Sequence, residues 1–200
     1  MSLEDRPPFA PQPTRPRPSA AGPHPYVCQA IIAACAALYL YEVWRSGSLN
    51  EPDNFGALNA TAVRAGEWWR LATNIFEHGN LLHIGLNMSV VFTLGMTFER
   101  ALGHRILALV SVITALGADL AVLRFAPPDT FTVGASGMIV GWAGALIPLA
   151  SEPLRRSLTR WMVQVAILSL IPGVSWQGHL GGFLAGLACG YVLKVSGPRA

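Results

Sequence analysis

The sequence predicts an all-helical membrane protein with six transmembrane helices. Apolar residues make up 52% of the 200 residues and charged residues only 12%, which is about half the charged fraction of soluble domains. Six apolar runs are long enough to cross, or nearly cross, a bilayer, which takes about 20 helical residues. These runs cover residues 26–44, 80–98, 105–124, 136–150, 158–172 and 178–195. A soluble domain of this size could not bury so much apolar surface, so we expect the chain to lie in a membrane.

The runs divide the chain into three regions. Residues 1–25 are rich in proline and show no apolar periodicity, so they are expected to form a disordered cytoplasmic tail. Residues 26–195 form the membrane domain, and residues 196–200 form a short second tail. The connection 45–79 holds adjacent tryptophans beside arginines, a composition typical of a segment lying among lipid headgroups.

The basic residues predict the orientation of the six helices. With the N-terminus inside, ten of the 14 lysines and arginines lie on the cytoplasmic side. Because cytoplasmic loops carry an excess of these residues, both termini are expected in the cytoplasm. The basic residues form no stripe along the sequence, so the net charge of +3 does not indicate nucleic acid as a partner.

Polar side chains inside apolar runs are costly, and each is therefore a candidate functional residue. Four stand out: His83 and Asn87 in the second run, Ser136 in the fourth and His179 in the sixth. In the predicted orientation, even-numbered runs begin on the outer side of the membrane. All four residues lie in the first part of such a run, so they are expected at one depth, as in a single site that faces outward.

Ser136 begins an apolar run and has small neighbours that leave its hydroxyl accessible. A helix N-terminus also offers unpaired N–H groups to an oxyanion. The alternative interpretation is an ordinary N-cap serine, which is common at this position.

His179 begins a run in which Gly182, Gly186 and Gly190 fall on one helix face. Such a face lets a neighbouring helix approach closely, and the helix with Ser136 carries Gly144 on its own face. A close crossing would bring imidazole to hydroxyl, the minimal arrangement that activates a serine. The alternative is a packing seam with a hydrogen-bonded histidine.

His83 and Asn87 are four residues apart, so both side chains project from one helix face. Two donors aimed at one point suit a developing oxyanion. The alternative is a hydrogen-bonded pair that joins two helices.

The sequence lacks the residues that a metalloprotease or an aspartyl protease would need. No HExxH motif is present, and Asp119 is the only aspartate within a run. The three cysteines lie in apolar runs without paired spacing, so they are interpreted as small buried residues. Neither a metal nor a cofactor is expected. A small transporter is disfavoured because no internal repeat is evident.

Ordered motifs over residues 66–195 carry a more specific signal. They are Trp69-Arg70, His83 to Asn87, Glu99-Arg100 with Gly103, Gly134 to Gly137, and the histidine–glycine run from His179 to Gly190. In order and separation this set resembles the rhomboid intramembrane serine proteases, in their six-helix bacterial form. The resemblance implies an integral protein of the bacterial inner membrane.

The resemblance also implies roles for the four polar residues. Ser136 would be the nucleophile and His179 its general base, while His83, Asn87 and the Ser136 backbone N–H would form the oxyanion hole. Substrates would be transmembrane helices of other proteins, cut near their outer ends, and the fifth helix (158–172) would act as a substrate gate.

One position departs from the family pattern. Many active members have an aromatic residue one turn after the serine, packed on the catalytic histidine, and this chain has Val140 there. The rival interpretation is a rhomboid-like pseudoprotease that binds transmembrane clients without cutting them. The substrate and the oligomeric state stay open at this point.

Overall fold

Helices provide almost all the regular structure of the chain. The computed structural model describes residues 24–196; the predicted tail 1–25 therefore lies almost entirely outside the described residues, as do residues 197–200. Between residues 24 and 196 the only β-type pairing is an isolated antiparallel bridge between Leu58 and Thr132. The predicted all-α class is confirmed for this part of the chain.

The helices are numbered in chain order. They are α1 (Tyr26–Ser46), α2 (Ala60–Arg64), α3 (Arg70–Thr73), α4 (Leu81–Val90), a π-helical turn (Val91–Gly95), α5 (Met96–Leu102), α6 (His104–Phe125), α7 (Ser136–Leu146), α8 (Glu152–Leu168) and α9 (Trp176–Ser196). The π turn joins α4 and α5 into one continuous helix, Leu81–Leu102.

Among the described residues, four helices are long and apolar enough to cross a membrane: α1, Leu81–Leu102, α6 and α9. The predicted count of six spans is not confirmed. Helix α7 has only 11 residues, about 16 Å of helix, and ends at Leu146 rather than at residue 150. Helix α8 runs from Glu152 to Leu168 instead of covering 158–172, and its first turns carry arginines.

The two exceptions have different physical reasons. Helix α7 is buried along nearly its whole length, so other helices surround it and lipid does not set its length. Helix α8 is exposed along most of its length and buries only Leu158. Its charged first turns also shorten the part that is apolar enough to face lipid.

The centre of the fold is a cluster of three helices, α6, α7 and α9, whose backbones lie very close together. A Cβ atom added at Gly182, Gly186 or Gly190 of α9 would lie 2.0, 1.9 or 2.2 Å from a backbone oxygen of α7. These distances are far below van der Waals contact, so the glycine face predicted on α9 does pack against the helix that begins at Ser136. Helix α6 joins the same cluster, since a Cβ at Gly181 would lie 2.3 Å from the Gly117 oxygen.

Glu99, one of the family motif residues, anchors the start of α1. Its buried carboxylate accepts hydrogen bonds from the backbone N–H groups of Val27 and Cys28 at 2.8 and 2.9 Å. These are first-turn N–H groups that lack partners within the helix, and the positive end of the helix dipole favours an anion there. The motif therefore ties the second long helix to the first.

The segment 45–79 is held by side chains that reach across it. Arg70 donates to the Ala57 carbonyl at 2.7 Å and to Glu67 at 2.8 Å. Asn74 donates to the Asp119 carboxylate of α6 at 3.2 Å. Asp119, the aspartate that the sequence places alone in a span, therefore has a structural partner in this segment.

Candidate active site

Ser136 is the first residue of α7, and the chain turns sharply just before it. Gly134 has a φ of +111°, a left-handed conformation that favours glycine. The N-cap of α7 is Ala135, and no side chain caps this helix. Ser136 is therefore not an N-cap serine, and its hydroxyl is free to bond elsewhere.

The hydroxyl of Ser136 meets the imidazole of His179. Ser136 Oγ lies 2.9 Å from His179 Nε2, across 43 residues of sequence. His179 stands in the first turn of α9, whose start is fixed by Ser175: the Ser175 hydroxyl accepts a hydrogen bond from the Gly178 N–H at 3.2 Å. Close packing of α7 on α9 thus brings the two candidate side chains to hydrogen-bond distance.

A third side chain contacts the other nitrogen of the imidazole. Ser169, just after the end of α8, places its Oγ 2.6 Å from His179 Nδ1. The same hydroxyl lies 2.7 Å from the Val165 carbonyl, to which it donates. The sequence did not single out Ser169, because a serine at the end of an amphipathic helix is unremarkable until its tertiary neighbour is known.

His83 and Asn87 lie beside the turn that carries Ser136. A Cβ at Gly134 would be 2.7 Å from the His83 ring and 3.6 Å from Asn87 Nδ2. Asn87 also donates to the His83 carbonyl at 3.1 Å, which leaves one amide hydrogen without a partner in its own helix. The structure therefore brings all four polar residues of the sequence prediction to one region.

Two buried groups next to this region were not predicted. The His78 ring lies 5.1 Å from the His83 ring, edge to face, and its burial lowers its pKa to about 4, so it is uncharged at neutral pH. Burial raises the pKa of the neighbouring Glu77 carboxyl to about 7, and this carboxyl accepts a hydrogen bond from the Gly56 N–H. Both groups line the connection into α4 rather than contacting the Ser136 hydroxyl.

Within residues 24–196 no group of three or more histidine, cysteine or acidic side chains could hold a metal ion. Cys28 and Cys35 are buried and unpaired, and Cys189 is partly buried. The polar constellation is thus built from serine, histidine and asparagine.

Comparison with known proteins shows the family of this chain. A family model for the rhomboid domain matches residues 65–196, which include α4 to α9 and all four candidate residues. The chain belongs to the rhomboid family. As a rhomboid protein with four long apolar helices, it is an integral membrane protein.

Several rhomboid relatives share most of this chain. RHOMBOID-like protein 5 of Arabidopsis thaliana is 33% identical over 157 residues, covering 70% of this chain and 48% of that protein. Rhomboid protease GluP of Bacillus subtilis (strain 168) is 29% identical over 154 residues, covering 73% of this chain and 30% of GluP. Rhomboid protease AarA of Providencia stuartii is 25% identical over 194 residues, covering 78% of this chain and 69% of AarA. The chain spans less than half the length of the first two.

Proposed function

We propose that this rhomboid protein is an intramembrane serine endopeptidase that cuts transmembrane segments of other membrane proteins near their outer ends. The observation that carries the proposal is the 2.9 Å contact between Ser136 Oγ and His179 Nε2. Serine is a poor nucleophile until a base takes its proton. The relatives GluP and AarA are both named proteases, and their names support the same reaction class.

The reaction follows from the two side chains. His179 Nε2 accepts the Ser136 hydroxyl proton as Oγ attacks the carbonyl carbon of the scissile peptide bond, forming a tetrahedral oxyanion. The imidazolium then gives that proton to the leaving amine, which departs and leaves an acyl-enzyme. In the second half, His179 takes a proton from water, the resulting hydroxide releases the new carboxyl end, and Ser136 regains its proton.

In this proposal three groups would stabilise the oxyanion. The backbone N–H of Ser136 lies at the N-terminus of α7, where N–H groups have no partner within the helix. His83 and the free amide hydrogen of Asn87 adjoin the same turn, through their approach to Gly134. Donors aimed at developing charge stabilise the transition state more than the bound substrate.

Asn87→Ala is expected to lower kcat by about 10²–10³-fold, the usual cost of removing one oxyanion donor. His83→Ala should have a similar effect, and both proteins should stay folded. Ser89→Ala is the matched control, because Ser89 is exposed on the same helix and bonds only to a carbonyl of its own helix. Cleavage of a transmembrane substrate in detergent or liposomes measures the effect. A wild-type rate in either variant would show that the residue replaced contributes to helix packing and not to the oxyanion hole.

The site is proposed to face outward, in a bacterial inner membrane, with both termini in the cytoplasm. The support is the excess of lysine and arginine that this orientation places on the cytoplasmic side, ten residues against four. A reporter that is active only in the cytoplasm should be active when it is fused to the C-terminus. A reporter that is active only outside the cytoplasm should be inactive at the same position. An external reporter signal would contradict the orientation and the outward-facing site together.

The rival function is a pseudoprotease that binds transmembrane clients without cutting them. A serine-directed fluorophosphonate probe separates the two, because it reacts only with an activated serine. It should label the wild-type protein and fail to label Ser136→Ala.

Proteomics of shed membrane-protein fragments, comparing cells that carry the wild-type protein with cells that carry Ser136→Ala, would then identify substrates. Folded wild-type protein that neither reacts with the probe nor cuts several transmembrane substrates would favour the client-binding alternative.

A further inference from the structure

Ser169 lies where the end of α8 meets the proposed catalytic pair. The residue is only 7% exposed, and its Oγ is 2.6 Å from His179 Nδ1. Between residues 24 and 196, no other side-chain hydrogen bond joins α8 to another helix. Helix α8 otherwise contacts the core through Leu158, its only buried residue, and the partly buried Trp161 and Met162.

The hydrogen bonds of Ser169 have a defined direction. A serine hydroxyl has one proton and can accept through its oxygen. The proton is directed to the Val165 carbonyl at 2.7 Å, since a carbonyl can only accept. With its proton on the Val165 carbonyl, the oxygen of Ser169 faces Nδ1 as an acceptor, and this arrangement pairs with a proton on Nδ1.

This direction decides which tautomer of the neutral imidazole is present. A neutral histidine carries one ring proton, and a hydrogen bond at one nitrogen fixes the state of the other. With the proton on Nδ1, Nε2 has a free lone pair, and Nε2 is the atom 2.9 Å from Ser136 Oγ. This tautomer can accept the Ser136 proton, whereas the opposite tautomer would donate to Ser136 and could not act as its base.

We propose that Ser169 is a positioning residue that holds His179 in the Nδ1–H tautomer, so that Ser136 is activated only while the end of α8 is seated against α9. The proposal rests on the proposed function. One turn after Ser136 the chain has Val140, which offers the imidazole no aromatic ring to pack on. The hydrogen bond that Nδ1–H donates to Ser169 Oγ supplies the orientation that such a ring would otherwise give. Movement of the end of α8 away from α9 would remove the acceptor and release the tautomer.

Kinetics of the full chain in liposomes provide the first test. Ser169→Ala is expected to lower kcat by about 10- to 100-fold, the loss that fits one hydrogen bond to a group that becomes charged during the reaction. KM for the transmembrane substrate should stay within about twofold, because Ser169 acts through His179 and not on the substrate. Ser169→Thr keeps the hydroxyl and should restore kcat to within a few-fold. Ser157→Ala, on the exposed face of α8, should match wild type.

The tautomer itself can be measured without activity. In protein labelled with ¹⁵N-histidine, the ring nitrogen shifts of His179 report which nitrogen carries the proton, and His179→Gln identifies the signal by its loss. The Nδ1–H tautomer should be present in wild type and in Ser136→Ala, and it should be lost or mixed in Ser169→Ala. An unchanged tautomer in Ser169→Ala, or a wild-type kcat in that folded variant, would overturn the proposal.

The protease function and the role of Ser169 can be refuted independently of each other. If Ser136→Ala cut substrate at the wild-type rate, the proposed function would fail, and the ring nitrogen shifts would still decide whether Ser169 sets the tautomer. If Ser136→Ala were inactive while Ser169→Ala kept both the tautomer and kcat, the protease function would stand and the role of Ser169 would be refuted.

Discussion

Replacing either Ser136 or His179 with alanine should abolish cleavage, and replacing both should cost little more than either alone. The two side chains act as a unit, since the imidazole has no proton to take without the hydroxyl and the hydroxyl is inert without the base. We expect each single variant to lower kcat by at least about 10⁴-fold, as in other serine hydrolases. Cleavage of a fluorogenic transmembrane substrate in liposomes measures the three variants against wild type.

Histidine and serine positions outside the site provide the controls for this series. His24→Ala replaces an exposed imidazole before α1, and Ser89→Ala replaces an exposed hydroxyl on α4; both should cut at the wild-type rate. Each variant should be shown to stay folded by its thermal unfolding transition, so that a loss of cleavage reports on the chemistry. Strictly additive losses, or residual cleavage by Ser136→Ala in folded protein, would contradict the dyad.

Gly186→Ala should destabilise the protein and reduce cleavage, although it adds a single methyl group. The new Cβ would lie 1.9 Å from the Gly141 oxygen, 2.6 Å from its carbonyl carbon and 2.8 Å from its Cα. All three atoms belong to the backbone of α7, so no side chain can rotate away and α7 must separate from α9. Overpacking of this kind costs about 1–3 kcal/mol, sometimes more. Gly186→Leu should be more severe.

Activity should fall together with stability at this position, because Ser136 and His179 stand on the two helices that are forced apart. Gly85→Ala is the matched control: Gly85 also lies inside a helix, but a Cβ there meets nothing within 4 Å, so stability should be unchanged or slightly higher. Thermal unfolding in detergent and cleavage in liposomes give the two measurements. Wild-type stability and cleavage in Gly186→Ala would contradict this prediction, because α7 and α9 would then accommodate the methyl group with no loss of stability.

The four polar residues of the candidate site could be selected from the sequence because a polar side chain in a membrane-spanning segment is costly. In a run of apolar residues, His83, Asn87, Ser136 and His179 each need a reason to be present. The spacing of Gly182, Gly186 and Gly190 likewise identifies a face that a neighbouring backbone approaches. The helix that begins at Ser136 was expected as its neighbour, and it does pack there, whereas the packing of α6 into the same cluster through Gly117 and Gly181 was not predicted.

Other features depend on tertiary structure that hydropathy does not encode. The role proposed for Ser169 depends on the position of the end of α8 beside His179, and no local sequence pattern indicates that position. The bounds of α7 and α8 also differ from the prediction. Hydropathy does not distinguish an apolar run that ends in lipid from one that ends inside protein, as α7 does, and it leaves out the charged first turns of α8. Glu99 was noted as part of a motif, but its bonds to the start of α1 follow from the arrangement of the two helices.

The π turn between α4 and α5 resets the angular phase of the second long helix. A straight α-helix advances about 100° per residue, which would place Asn87 and Glu99 about 120° apart around the axis. A π turn takes up one extra residue, so the two side chains return to within about 20° of each other. Asn87 and Glu99 are indeed both buried, although 12 residues separate them. One wide turn therefore lets a single helix aim an amide at the candidate active site and, further along, a carboxylate at the start of α1, with both on its inner side.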